Sequence, residues 1–145
     1  MNELTIDNGI LKYECCKETW NKEFLWELSL SSISVIGVLG RMVGDDDFTF
    51  IVFVDQNKKV YPVNCTHSQF KGELVLRSIM EEKGINYDGL FKPDDQNSVI
   101  YPSELNGIKL LRQTFFHEVQ VFLDLRHAAT GELEKIVVEY IDTRN

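Results

Sequence analysis

The pattern of apolar and polar positions is sharpest in residues 48–63, FTFIVFVDQNKKVYPV. An aromatic and β-branched run reaches Val54, a polar break follows from Asp55 through Lys59, and a second run ends at Val63, which predicts a β-hairpin. In its first arm Phe48, Phe50, Val52 and Val54 share one face and Thr49, Ile51 and Phe53 share the other. A strand apolar on both faces belongs in the middle of a covered sheet. Pro62 has no backbone donor, so the second arm is either short or placed where that N–H is not needed.

Upstream, Asp7, Asn8 and Gly9 mark a turn, and residues 10–15 alternate so that Leu11, Tyr13 and Cys15 form the apolar side of a first strand. Residues 17–23 are polar around Trp20 and read as a connection. Phe24, Trp26, Leu28 and Leu30 then alternate with Leu25, Glu27 and Ser29, a second strand with one wet side. Residues 33–39 are β-branched and broken by Gly37, the mark of a bulge or of close approach by another backbone, so a bent third strand is expected. A linker over 40–47 leads into the hairpin.

Downstream, Thr66 and Gln69 make a capping-box pattern, and Phe70, Leu74, Val75, Leu76, Ile79 and Met80 recur at helical spacing until Gly84. One amphipathic helix is expected over 68–83, lying across a sheet or plugging an open barrel, with Phe70 stacked on Leu74 and Val75 on Ile79. Residues 86–98 carry loop chemistry. Val99, Ile100 and Tyr101 precede Pro102, and the pattern of 103–112 leaves its type open. Residues 115–125 alternate again, with Phe115, His117, Val119 and Val121 on one side. A turn at Thr130 and Gly131 leads into 133–141, where Ile136, Val138 and Tyr140 alternate with Lys135, Val137 and Glu139, so the chain is expected to close on a long hairpin. Together these predict an α+β fold: mainly antiparallel strands in a bent sheet or partly open barrel, one dominant helix, and a C-terminal hairpin. Residues 1–145 read as a single domain, with a strand-and-helix core in 1–85 and a loop-and-hairpin extension in 86–145.

The order of elements from 24 to 85, in which WELSLSSISVIG precedes the FTFIVFV and KVYPV hairpin and then a single amphipathic helix, resembles the second half of pleckstrin-homology-like domains. The resemblance implies a bent antiparallel sheet closed at one corner by its helix, used as a scaffold for peptides, proteins or inositol phospholipids. That family usually ends at the helix, whereas here residues 86–145 follow. Its lipid-binding members place several basic residues in the loop joining their first two strands. The matching loop here, CCKETWNKE, sets Lys17 and Lys22 against Glu18 and Glu23, so lipid binding is not expected.

Charge narrows the partners further. The chain carries a net −8, divided as 9 basic and 13 acidic residues up to Ile85 and 6 basic and 10 acidic after it, so no basic half is hidden in the total. Nucleic acids and anionic membranes are disfavoured. The first sixteen residues show neither a secretory leader nor a membrane span, and the chain reads as cytoplasmic. Cys15, Cys16 and Cys65 are then reduced thiols.

Candidate chemistry is sparse. Cys15, Cys65 and His67 would supply soft metal ligands if the strands brought them together, but paired C-x-x-C spacing is absent. A Cys65 nucleophile with His67 or His117 as base lacks a recognisable motif. Asp45, Asp46 and Asp47, with Asp94 and Asp95, lack the spacing of an EF-hand and read as solvated turns. No phosphate-cradling glycine loop follows Gly37 or Gly40. Trp20, flanked by Lys17 and Lys22, is the candidate interaction site, as an interface anchor or as a ring folded over an open sheet edge. The expectation is a non-enzymatic interaction or scaffold module without cofactor, binding a peptide or protein partner. The alternatives are a small acidic inhibitor neutralising a basic toxin and a Cys/His-dependent hydrolase.

Overall fold

The computed structural model describes residues 2–15, 24–41, 48–65, 70–91, 96–112 and 133–144. Among them lie the strands β1 (Asn2–Asp7), β2 (Ile10–Cys15), β3 (Phe24–Ser29), β4 (Ile33–Arg41), β5 (Phe48–Asp55), β6 (Val60–Asn64), β7 (Phe70–Lys71) and β8 (Gln96–Tyr101), and the helices α1 (Glu73–Glu82) and α2 (Lys135–Arg144). The fold is α+β, with two separate four-stranded sheets ordered β3-β2-β1-β7 and β6-β5-β4-β8. Neighbouring strands run antiparallel except for the short parallel pair of β1 and β7, and no barrel closes among the described residues.

β1 has no counterpart in the sequence pattern, because only Leu4 among its six residues is buried. The turn that follows it is the one expected: Asn8 and Gly9 take φ of 51° and 75°, positive at both positions as a two-residue type I′ hairpin requires. Asp7 pairs with Ile10 beside it.

The expected central hairpin is β5 and β6. β5 lies inside the second sheet and is apolar on both faces because both are covered. Ile51 and Phe53 join Leu11, Tyr13 and Trp26 of the first sheet and Leu76, Ile79 and Met80 of α1. Phe50, Val52 and Val54 join Leu105, Leu110, Val137 and Ile141 on the opposite side. The second sheet is therefore the middle layer. Pro62 sits on the edge strand β6, opposite Val52, where a missing N–H breaks no ladder on the outer side. β4 is irregular, as its glycine predicted, with register shifts between Ile33 and Val35 and between Ile36 and Gly37. A Cβ on Gly37 would come within 2.5 Å of Leu110 Cδ2 and 3.1 Å of the Ser98 carbonyl oxygen, so only glycine admits the chain that covers this face.

The helix expected over 68–83 starts later. Phe70 and Lys71 pair with Asn2 and Glu3 as β7, and α1 begins at Glu73 with Gly72 as its N-cap. Gly72 has φ of 152°, and a Cβ there would lie 2.8 Å from Cβ of Leu4, so the first sheet presses on the turn and fixes where the helix starts. This start takes Phe70 out of the helix and leaves Leu74 82% exposed, so the expected stack of those two side chains does not form. Leu76, Ile79 and Met80 make the buried face. The stop at Gly84 is as predicted: the Gly84 and Ile85 N–H groups reach back to the carbonyls of Glu81 and Met80 at 3.0 and 2.8 Å.

The strand expected over 133–141 is instead the helix α2, so the described residues hold two helices of similar length and the chain does not end in a hairpin arm. Leu133, Val137 and Ile141 recur every four residues and are buried against the outer face of the second sheet, whereas Ile136, inward in the alternating pattern, is 46% exposed. The β-branched cluster of Ile136, Val137 and Val138 imitates a strand, but the need to cover an apolar sheet face overrides that propensity. The other proposed arm, 115–125, and the turn at Thr130 and Gly131 lie outside the described residues. The open stretch 103–112 holds a 3₁₀ turn, Ser103–Leu105, and an irregular run, and β8 takes up the end of the expected loop. No helix among the described residues is long and apolar enough to cross a membrane.

Candidate functional site

Sheet edges are the first places to look for a binding surface. On β6 the Pro62 carbonyl accepts the Trp26 indole N–H at 3.0 Å. The Asn64 N–H donates to Tyr13 Oη at 3.0 Å, and the Asn64 carbonyl accepts from Asn2 Nδ2 at 2.9 Å. Tyr13 completes the ring of bonds by donating to Asn2 Oδ1 at 2.6 Å. The Trp26 ring packs between Tyr13 and Tyr61, at centroid distances of 5.5 and 5.3 Å. Tyr61 in turn donates to Asp55 Oδ2 at 2.8 Å, and burial, reinforced by that carboxylate, pushes its pKa up to about 12.

The opposite edge, β8, is also engaged. Val99 exchanges hydrogen bonds with Ile108 and Gly107 at 2.7 and 2.9 Å, and the Asn97 side chain bonds the backbone of Leu110 and Leu111. Both edges of the second sheet are thus occupied at these positions. β3 has no strand neighbour on its outer side among the described residues.

Of the residues singled out in the sequence, Trp20, Lys17 and Lys22 lie outside the described residues, as do Cys16, His67, His117, Asp45, Asp46, Asp47, Asp94 and Asp95. Cys15 ends β2 opposite Asn2, whose amide bonds the Asn64 carbonyl, so the register does bring Cys15 to the same end of the molecule as Cys65. The Cys65 thiol donates to the Val63 carbonyl at 3.5 Å, and burial pushes its pKa up to about 12. It stays a thiol at neutral pH and lacks the lowered pKa that marks a nucleophilic cysteine. No group of three or more His, Cys, Asp or Glu able to hold a metal lies among the described residues.

This burial has a measurable consequence. Because the folded pKa of Cys65 lies above its ordinary 9.0, the stability it contributes is complete below pH 9 and is lost as pH rises toward about 12. Tyr61 acts in the same direction. The urea midpoint is expected to be lower at pH 10.5 than at pH 8, and peptide mapping should find Cys65 unmodified by iodoacetamide in native protein at pH 8. Native alkylation as fast as in urea would show the thiol to be exposed.

A cleft of about 460 Å³ opens between the end of α1, the 3₁₀ turn Tyr87–Gly89 and β8. Alternation along β8 sends Val99 into the second core cluster and leaves Gln96, Ser98 and Ile100 to line the cleft. The turn is held to α1 by Arg77, whose guanidinium donates to Glu73 at 3.2 Å and Asp88 at 2.6 Å and lies 4.7 Å from the Tyr87 ring centroid. The hydrogen bond from Arg77 holds the Asp88 carboxyl below the usual carboxylate range. These are surface contacts that set position more than stability.

The lining is polar in a particular way. Lys83 Nζ stands 4.8 Å from the Tyr101 ring centroid. Gln96 Nε2 donates to the Leu90 carbonyl at 2.9 Å. The side chains of Ser98, Ser103 and Asn106 have no hydrogen-bond partner among the described residues, and the described lining holds no Asp or Glu although the chain carries a net −8. Gly89 leaves room, since a Cβ there would meet only Asn86 Nδ2, at 3.7 Å. Neutral donors and acceptors around one cation can hold a polar ligand, but they offer no paired nucleophile and base. Sequence reasoning missed the cleft because its walls come from the end of the expected helix, the expected loop over 86–98 and the stretch 103–112 whose type the pattern leaves open. Comparison with family models, curated proteins and solved structures finds no match.

Proposed function

We propose that this protein is a non-enzymatic interaction module that holds a peptide segment of a protein partner in the cleft at the end of α1. The observation that carries this reading is the lining itself. Asn86, Asn106, Ser98 and Ser103 offer the mixed donors and acceptors that a peptide backbone requires, around one cation and with no described acid–base pair. The resemblance of residues 24–85 to pleckstrin-homology-like domains points the same way, as does the raised pKa of the partly buried Cys65 thiol, which weighs against a cysteine hydrolase. An acidic inhibitor is less well supported. Described carboxylates are spread over the first sheet, the end of β5, α1 and the turn after it, the 3₁₀ turn Ser103–Leu105 and α2, and Glu14, Asp88 and Asp142 are each in an ion pair.

Gly89→Leu fills the cleft at a position with room for a side chain. Affinity capture from native cells with mass spectrometry is expected to recover a partner with the wild-type chain and to lose it with Gly89→Leu, at an unchanged unfolding midpoint. A parallel Trp20→Ala sample reports whether the Trp20 loop takes part. Equal recovery with wild type and Gly89→Leu, or turnover of a small molecule by the purified chain, would overturn the reading.

A further inference from the structure

We infer that the cleft recognises a carboxylate, with Lys83 as the cation that holds it. This inference rests on the binding reading above and names the chemistry of the ligand. Among the described residues most basic side chains already have an acidic partner: Lys12 pairs with Glu14, Lys58 with Asp142, Lys109 with Glu134, and Arg144 with Glu104. Arg77 has two, Glu73 and Asp88. Lys83 has none among the described residues. It is half-buried, and its ammonium faces the Tyr101 ring at 4.8 Å. Lys59 lies over Tyr61 in the same manner at the β5–β6 turn, but of the two only Lys83 lines the cleft.

A cation at the C-terminal end of α1 has a simpler role, since it complements the negative end of the helix dipole. That role explains a basic residue at position 83. It does not explain why the described lining lacks a carboxylate in so acidic a chain, nor why hydroxyl and amide groups with unspent donors stand around the same space. A carboxylate seated beside Lys83 would accept from the ammonium and from these neutral donors, replacing the water that a half-buried ammonium has partly lost. The weak ring contact would yield to it, because a cation–π contact at a partly wet site is weaker than a charge-assisted hydrogen bond.

Two sources share this chemistry: the C-terminal carboxylate of a peptide, and a small organic acid. Amide-resolved NMR titration of the full chain with N-acetyl-trialanine as the free acid, the same peptide as its amide, and succinate separates them. The free-acid peptide is expected to shift amides in 83–90 and 96–107 and to bind about tenfold or more tightly than the amide. Lys83→Met should abolish that preference while keeping a dispersed spectrum, and Lys83→Arg should restore it. Succinate binding as tightly as the free-acid peptide supports the carboxylate site and assigns it to small acids. Equal binding of acid and amide, or a preference that survives Lys83→Met, overturns the inference while leaving the peptide module standing. Shifts for no probe also overturn it, and capture with Gly89→Leu then decides the module separately.

Discussion

Trp26→Ala is expected to lower the midpoint of thermal unfolding by roughly 6 to 20 °C. Removing a large buried aromatic costs about 3–5 kcal/mol, and each kcal/mol moves the midpoint of a chain near this size by about 2–4 °C. The indole is only 9% exposed and touches the rings of Tyr13, Tyr61 and Phe53, so it joins the first sheet to the second. Its loss also takes the donor from the Pro62 carbonyl. Trp26→Phe keeps part of the ring contact and removes that N–H, so its cost combines an unpaired carbonyl, about 1–3 kcal/mol, with a smaller cavity than the alanine leaves. Calorimetry of the two variants beside wild type checks both values. A midpoint for Trp26→Ala within about 2 °C of wild type would mean that the interlayer packing is not as described.

A second pair of variants should give opposite results at adjacent positions. Val137→Asp is expected to cost about 3 kcal/mol or more, since it removes a buried apolar side chain and places a carboxylate in the core cluster that also holds Phe50 and Val52 on the closed face of the second sheet. Ile136→Asp, half exposed on the outer side of α2, should change stability by about 0.5 kcal/mol or little more. Alternation as a strand demands the reverse order. Urea unfolding of the two variants therefore distinguishes helix from strand over 135–144, and a greater loss for Ile136→Asp would refute α2.

The central hairpin and the bent β4 were legible because their burial is two-sided and dense: Ile51, Phe53, Phe50 and Val52 all point into a core, and Gly37 stands where Leu110 must enter. The ends of elements were less so. Phe70 fits the helical spacing of Leu74 and Ile79, but a partner distant in sequence, Asn2, claims it for a strand, and Gly72 then fixes the helix start. α2 carried its true signal in Leu133, Val137 and Ile141, four residues apart. Three consecutive β-branched or aliphatic residues masked it, and no local rule reveals that the face beneath needs covering. The cleft was illegible for a different reason. Its groups, Lys83, Ser98 and Asn106, belong to three segments whose meeting is a tertiary fact, and each alone reads as surface.

The β6 edge is closed by side chains and not by a neighbouring strand, and this ties the fate of one sheet to the other. If the first sheet separates, Trp26, Tyr13 and Asn2 leave together, exposing the backbone groups of Pro62 and Asn64 on a strand rich in valine. Such an edge is a template for any extended chain it meets, including another copy of itself. Chain order favours the cover, since Asn2, Tyr13 and Trp26 are synthesised before the edge at 60–64 that they close.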